Sequence, residues 1–89
     1  MEGTLEIRKK PQTLLTFEKF HKRYFVLNEG ILKFLESQGG KCIGQIHLGI
    51  SAVYIDPENI NQFLINTGSQ VYEVRSDNQK LLKKWINSM

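Results

Sequence analysis

The sequence predicts a mainly β fold: seven antiparallel strands forming a barrel or sandwich, capped by one C-terminal α-helix. Two observations carry this. Short runs rich in aromatic and β-branched residues recur at roughly ten-residue spacing, each bounded by turn-forming residues. After Arg75 the period changes from two to that of a helix.

Gly3 to Lys10 alternates, with Leu5 and Ile7 on one face, and reads as the first strand. Pro11 lacks an amide donor and ends it. After a loop to about Lys19, Phe20 to Leu27 is dense in aromatic and β-branched residues. Asn28-Glu29-Gly30 supplies turn chemistry, so Ile31 to Ser37 returns as a hairpin partner. Gly39-Gly40 marks a flexible loop, and Ile43 to Leu48 and Ser51 to Ile55 are short strands. Gln62 to Asn66 and Val71 to Arg75 form a second hairpin across Thr67-Gly68-Ser69. Ser76 is the expected helix N-cap, with Gln79 as its capping-box partner. Leu81, Leu82, Trp85, Ile86 and Met89 then share one helical face, opposite Lys80, Lys83 and Lys84. Trp85 is expected to plug the core.

The 89 residues suffice for one modest core, and 40% apolar with 24% charged residues is a globular composition. No apolar run approaches the roughly 18 residues of a membrane span. The expectation is a soluble domain with peripheral membrane contact at most. A single cysteine, Cys42, offers neither a disulfide framework nor a metal site, which fits the cytosol. Net charge is +3; residues 1–33 hold seven Lys/Arg against four Asp/Glu, while residues 34–89 balance at five each. The whole excess thus lies in the first third and suggests an anionic partner.

That excess concentrates between Arg8 and Leu27. Arg8, Lys9 and Lys10 stand at one end of the stretch and Lys19, Lys22 and Arg23 at the other. Leu14, Leu15 and Phe17 lie between. Cations around an apolar tip suit a membrane with anionic headgroups and an apolar interior. The same residues also admit an ordinary role, with the apolar trio folded on the core and the lysines solvated.

Seven strands and one helix with a central tryptophan resemble the pleckstrin homology layout. Gly3-x-Leu5, Lys22-Arg23-Tyr24-Phe25-Val26-Leu27, Gly30-Ile31-Leu32, Gly44-x-Ile46-x-Leu48 and Trp85 carry the likeness, which covers essentially the whole chain. Phe20 to Leu27, Glu29 to Phe34 and Glu36-Ser37-Gln38 are most similar to the domains of oxysterol-binding-related, ceramide-transfer and four-phosphate-adaptor proteins. The resemblance implies recognition of phosphatidylinositol 4-phosphate on Golgi-type or other phosphoinositide-bearing membranes. It also implies a peripheral cytoplasmic module, residues 1–89, cut from a longer lipid-transfer protein. A membrane-bound small GTPase is a candidate second partner.

The headgroup residues it implies are Arg23 first, then Lys22, His21, Arg8, Lys9, Lys10 and Lys19, with Leu14, Leu15 and Phe17 as the inserting loop. Arg23 can grip phosphate oxygens in pairs, as a Lys cannot. His21 is not reliably charged at neutral pH and equally suits a plain strand position. Two residues depart from the pattern. Ile7 stands where binders usually carry Lys, and alternation sends Arg8 to the opposite face. Phe34 stands where relatives often carry Tyr, so a phenol donor is missing.

Three basic groups near an anionic surface contribute about 1 kcal/mol each. Partial burial of the apolar trio adds roughly 3 kcal/mol. About 6 kcal/mol before immobilisation costs corresponds to tens of micromolar or weaker. Stable targeting therefore needs a specific headgroup contact, a protein on the membrane, or avidity.

Ile7 favours an alternative, a protein-interaction module on the same fold with weak or no lipid binding. Nucleic acid is not expected: Tyr24, Phe25 and Tyr72 offer rings, but the pattern explains Phe25 as core. Catalysis, metal and cofactor are not expected either. His21 and His47 lie on different strands, Cys42 has no adjacent base, and no Gly-rich loop opens a helix. A monomer is the default.

Overall fold

The computed structural model describes residues 1–11 and 18–89, and in it seven strands form one antiparallel sheet. The strands are β1 (Glu2–Lys9), β2 (His21–Asn28), β3 (Ile31–Leu35), β4 (Cys42–His47), β5 (Ala52–Ile55), β6 (Gln62–Asn66) and β7 (Val71–Arg75); helix α1 (Gln79–Ser88) follows. Their order, β4-β3-β2-β1-β7-β6-β5, joins two meanders through the pairing of β1 with β7. Ile46 of β4 and Phe63 and Ile65 of β6 come from opposite ends of that sheet yet share one core with Leu5, Ile7, Phe25, Leu32 and Val74. The sheet therefore curls round its own inner face, and α1 adds Leu82 and Trp85 to the core.

Each hairpin follows from its turn. Glu29 (φ 53°) and Gly30 (φ 76°) both take positive φ, as a two-residue turn matching strand twist requires. Gly30 does so freely, whereas Glu29 carries a Cβ that disfavours it. At the second hairpin the Thr67 and Gln70 backbones bond across Gly68. β3 ends at Leu35, two residues earlier than expected, because the Glu36 N–H donates to the Lys41 carbonyl and the chain turns. The β3–β4 register shifts beside Phe34: Phe34 faces Gly44, but Leu35 faces Cys42. Ile43 is the extra residue of this bulge. Gly44 is needed there, since a Cβ would lie 2.5 Å from the Phe34 ring.

The helix begins later than Ser76 suggests. Asn78 is the N-cap, its side chain accepting from the Leu81 N–H at 3.1 Å, while the Ser76 hydroxyl accepts from the Asn78 N–H. Gln79 donates to Asn61 instead of closing a capping box. Trp85 is fully buried and meets Phe25 edge-on, with centroids 5.9 Å apart and planes at 78°. Such a pair adds about 0.5–1.5 kcal/mol beyond its burial.

The outer face carries a polar network that ties β1, β6 and β7 to the β5–β6 connection. The two amide hydrogens of Gln62 reach Asp56 Oδ2 at 2.6 Å and Glu73 Oε2 at 2.9 Å. Asp56 Oδ1 accepts from the Glu58 N–H. That amide first, then Gln62, holds the Asp56 carboxyl below its ordinary 3.8; burial opposes them, and the charge of Lys10 and the Asn59 amide assist.

Glu29→Asn should raise the unfolding free energy by about 0.5–1 kcal/mol in urea, since Asn tolerates the left-handed region. Asp56 should make the fold acid-sensitive. A lowered folded pKa means its contribution is complete above the unfolded value and is lost as pH falls through the folded one. As pH falls through and below the ordinary carboxylate range, the wild type should therefore lose stability more steeply than Asp56→Asn.

Candidate functional site

β1 and β2 pair so that Leu5 faces Arg23, Glu6 faces Lys22 and Ile7 faces His21. Directly opposed residues share a face. Since Leu5 and Ile7 are buried in the core, His21 and Arg23 lie on the inner side, where the sheet opens. By alternation Lys9 joins them, and Arg8, Lys22 and Glu6 fall outside.

At this mouth lies a hollow of about 170 Å³. Ile7, Phe34 and Ile43 make its apolar wall, Lys9 and Arg23 bring cations, His21 brings an imidazole, and Glu18 and Tyr72 border it. Ile43 is 43% exposed here because the bulge turns it out of the ladder. The arrangement suits an anion with an apolar neighbour. Glu18 lowers the local positive potential.

The chain has three arginines. Arg8 borders the same hollow, but its guanidinium is engaged. Its Nε donates to Glu73 at 2.7 Å, its Nη1 to the Glu18 carbonyl at 3.3 Å, and its Cζ lies 4.4 Å from the Phe20 ring centre. Arg75 covers the same ring at 3.7 Å and pairs with Glu6 at 3.2 Å. Phe20 thus packs against two guanidiniums, each tied to a carboxylate of the sheet. Arg23 differs: among the described residues its guanidinium bonds only the Lys22 carbonyl, at 3.1 Å, and no carboxylate.

The expected headgroup residues therefore divide. Lys9, His21 and Arg23 converge at the mouth, with Arg8 at its rim. Lys22 lies on the other face of β2, beside Thr4 and Glu6. The Lys10 N–H donates to the Val71 carbonyl, and its charge acts on Asp56. Lys19 is exposed at the approach to β2. Leu14, Leu15 and Phe17 lie outside the described residues. Sequence reading missed Tyr72, Ile43 and Glu18 at the mouth. Alternation in β7, which turns Tyr72 and Val74 the same way, was the available signal for Tyr72; nothing in the sequence marks the bulge at Ile43.

Residues 4–89 match the family model described as the pleckstrin homology domain. Human oxysterol-binding protein-related protein 6 is 30% identical over 74 residues, covering 79% of this chain; the match spans only 8% of that relative. Among solved structures, the pleckstrin homology domain of ArhGAP27 superposes with a TM-score of 0.77 at 17% identity, covering 99% of this chain and 93% of that one. The C-terminal pleckstrin homology domain of pleckstrin, in complex with D-myo-Ins(1,2,3,5,6)P5, gives 0.75 at 25% identity, covering 99% and 88%.

Removing Arg8 leaves the buried Glu73 carboxylate without its cation. Arg8→Ala should lower the unfolding free energy by about 2 kcal/mol. Arg23→Ala should change it by less than about 0.5 kcal/mol. Parallel urea titrations check both.

Proposed function

The chain belongs to the pleckstrin homology family, and from that premise we propose that it is a membrane-targeting module that binds a phosphoinositide headgroup at the mouth of its barrel. The ligand we propose is phosphatidylinositol 4-phosphate, on Golgi-type membranes, within an oxysterol-binding-related lipid-transfer protein. The observation that carries this reading is Arg23, an arginine at an open mouth with no carboxylate partner among the described residues. Its fork meets two phosphate oxygens at once. Lys9 and His21 stand beside it. The likeness to oxysterol-binding-related proteins and the inositol phosphate bound by a structural neighbour support the choice of ligand class.

The reading gives the other residues distinct roles. Lys19, Lys10 and Lys22 act at longer range, as surface charge drawing the domain to an anionic bilayer. Leu14, Leu15 and Phe17 enter the interface once it is there. Ile7 supplies no charge, so Arg23 bears more of the headgroup contact than it would beside a first-strand lysine.

One observation favours the second reading, a protein-interaction module. An apolar hollow of about 230 Å³, lined by Ile55, Ile60, Leu82 and Ile86 with Gln79 and Lys83, shares no residue with the mouth. Ile55 and Ile60 are 53% and 66% exposed. A membrane-bound small GTPase is the partner we propose for such a surface.

Co-sedimentation with neutral vesicles carrying a few per cent phosphatidylinositol 4-phosphate tests the first reading. Phosphatidylserine at matched charge and phosphatidylinositol 4,5-bisphosphate are the controls. The 4-phosphate vesicles should be preferred, and Arg23→Glu should weaken binding about tenfold or more. Equal binding to every anionic vesicle, fading with salt, would reduce the site to an electrostatic patch. No binding would favour the protein-interaction reading.

A further inference from the structure

Tyr72 is the second residue of β7 and sits opposite Lys9 of β1. Its ring lies 6.2 Å from that of Phe34, tilted by 59°, and forms part of the mouth. The same ring walls a neighbouring hollow of about 310 Å³, which Gln45, His47 and Thr67 also line. Tyr72 is half-buried, and no described residue bonds its hydroxyl. By contrast, the Tyr24 hydroxyl donates to Glu2 at 2.6 Å and lies on the outer face. Apart from the His21 imidazole, the rest of the mouth is either charged or apolar: no Ser, Thr, Asn or Gln side chain lines it among the described residues. Tyr72 is thus the hydroxyl donor of this site among the described residues.

We propose that the Tyr72 hydroxyl donates a hydrogen bond to a phosphate oxygen of the bound headgroup and so gives the mouth its discrimination among anions; this rests on the headgroup reading above. The physical basis is direction. Lys9 and Arg23 attract any anion over a Debye length of roughly 8–10 Å. A phenol O–H acts only within hydrogen-bond distance and angle, so it separates ligands of equal charge by where their oxygens stand. Packing against Phe34 fixes the ring, which makes the donor pre-oriented.

The test compares the wild-type domain with Tyr72→Phe, which keeps the ring and removes one oxygen. Binding is measured to D-myo-inositol 1,4-bisphosphate by calorimetry and to phosphatidylinositol 4-phosphate and phosphatidylserine vesicles by co-sedimentation. Thermal midpoints check that both proteins are equally folded. The expected result is about a tenfold loss for the inositol phosphate and the 4-phosphate vesicles, with phosphatidylserine binding unchanged. Unchanged affinity for the inositol phosphate, or an equal loss on both kinds of vesicle, overturns the proposal. Failure of the headgroup reading looks different: the wild type then shows no preference for the 4-phosphate over matched charge, and Tyr72→Phe binds every vesicle as the wild type does, whatever Arg23→Glu loses. A second variant, Phe34→Tyr in the Tyr72→Phe background, returns a phenol to the same hollow from β3. Recovery of the 4-phosphate preference supports a donor role for the hydroxyl.

Discussion

The register of β1 against β2 decides where every charge in the first third of the chain goes. With Leu5 opposite Arg23 and Ile7 opposite His21, the two apolar residues of β1 enter the core and carry His21 and Arg23 to the inner side. Sliding one strand by a single residue would exchange the faces. Arg23 would then turn outward, and Lys22 would face the mouth. The register is held because the core resists such a slip. Leu5, Ile7, Phe25 and Val74 are all buried, and the pairing of β1 with β7 locks Ile7 against Val74 from the other side.

The same pleat explains why clustered charge in a sequence is not clustered charge in space. Arg8, Lys9 and Lys10 are consecutive, yet they meet three environments: the Glu73 ion pair, the mouth, and the vicinity of Asp56. Arg8 is drawn into the structure by a carboxylate 65 residues away. That carboxylate also holds Gln62, which holds Asp56. A network with this many satisfied members tolerates burial of its charges, because each has a partner of opposite charge or a hydrogen-bond donor. Its consequence for the site is subtraction. Beside Arg8 at the rim, the cations left at the mouth, Lys9 and Arg23, have no carboxylate partner among the described residues.

The alternation, turn residues and helical spacing made most of the fold legible in the sequence. Gln62 to Asn66 and Val71 to Arg75 match β6 and β7 to the residue, and Asn28-Glu29-Gly30 forms the turn its composition suggests. The differences arise where a competing contact overrides the simplest local pattern. Ser76 has the chemistry of an N-cap, but its hydroxyl closes a short turn on the Asn78 amide, so Asn78 starts the helix instead. The bulge at Ile43 depends on how β3 and β4 meet, which no local pattern encodes. At the site, the face of each residue was readable from the period of two, whereas its occupancy was not. Nothing near Arg8 or Arg23 in the sequence distinguishes an arginine tied to Glu73 from one with no carboxylate partner among the described residues.

Trp85 has one further implication. It is the chain's only tryptophan, wholly buried against Phe25 and close to Gly3, and it takes no part in the mouth. Its indole N–H has no acceptor among the described residues. The domain therefore contains a built-in optical reporter in a dry, apolar setting, sensitive to whether the helix is seated on the sheet. Intrinsic emission will follow unfolding faithfully and remain nearly silent when a ligand enters the other side of the core. A binding signal for this domain has to come from the membrane, from heat, or from a label placed at the mouth.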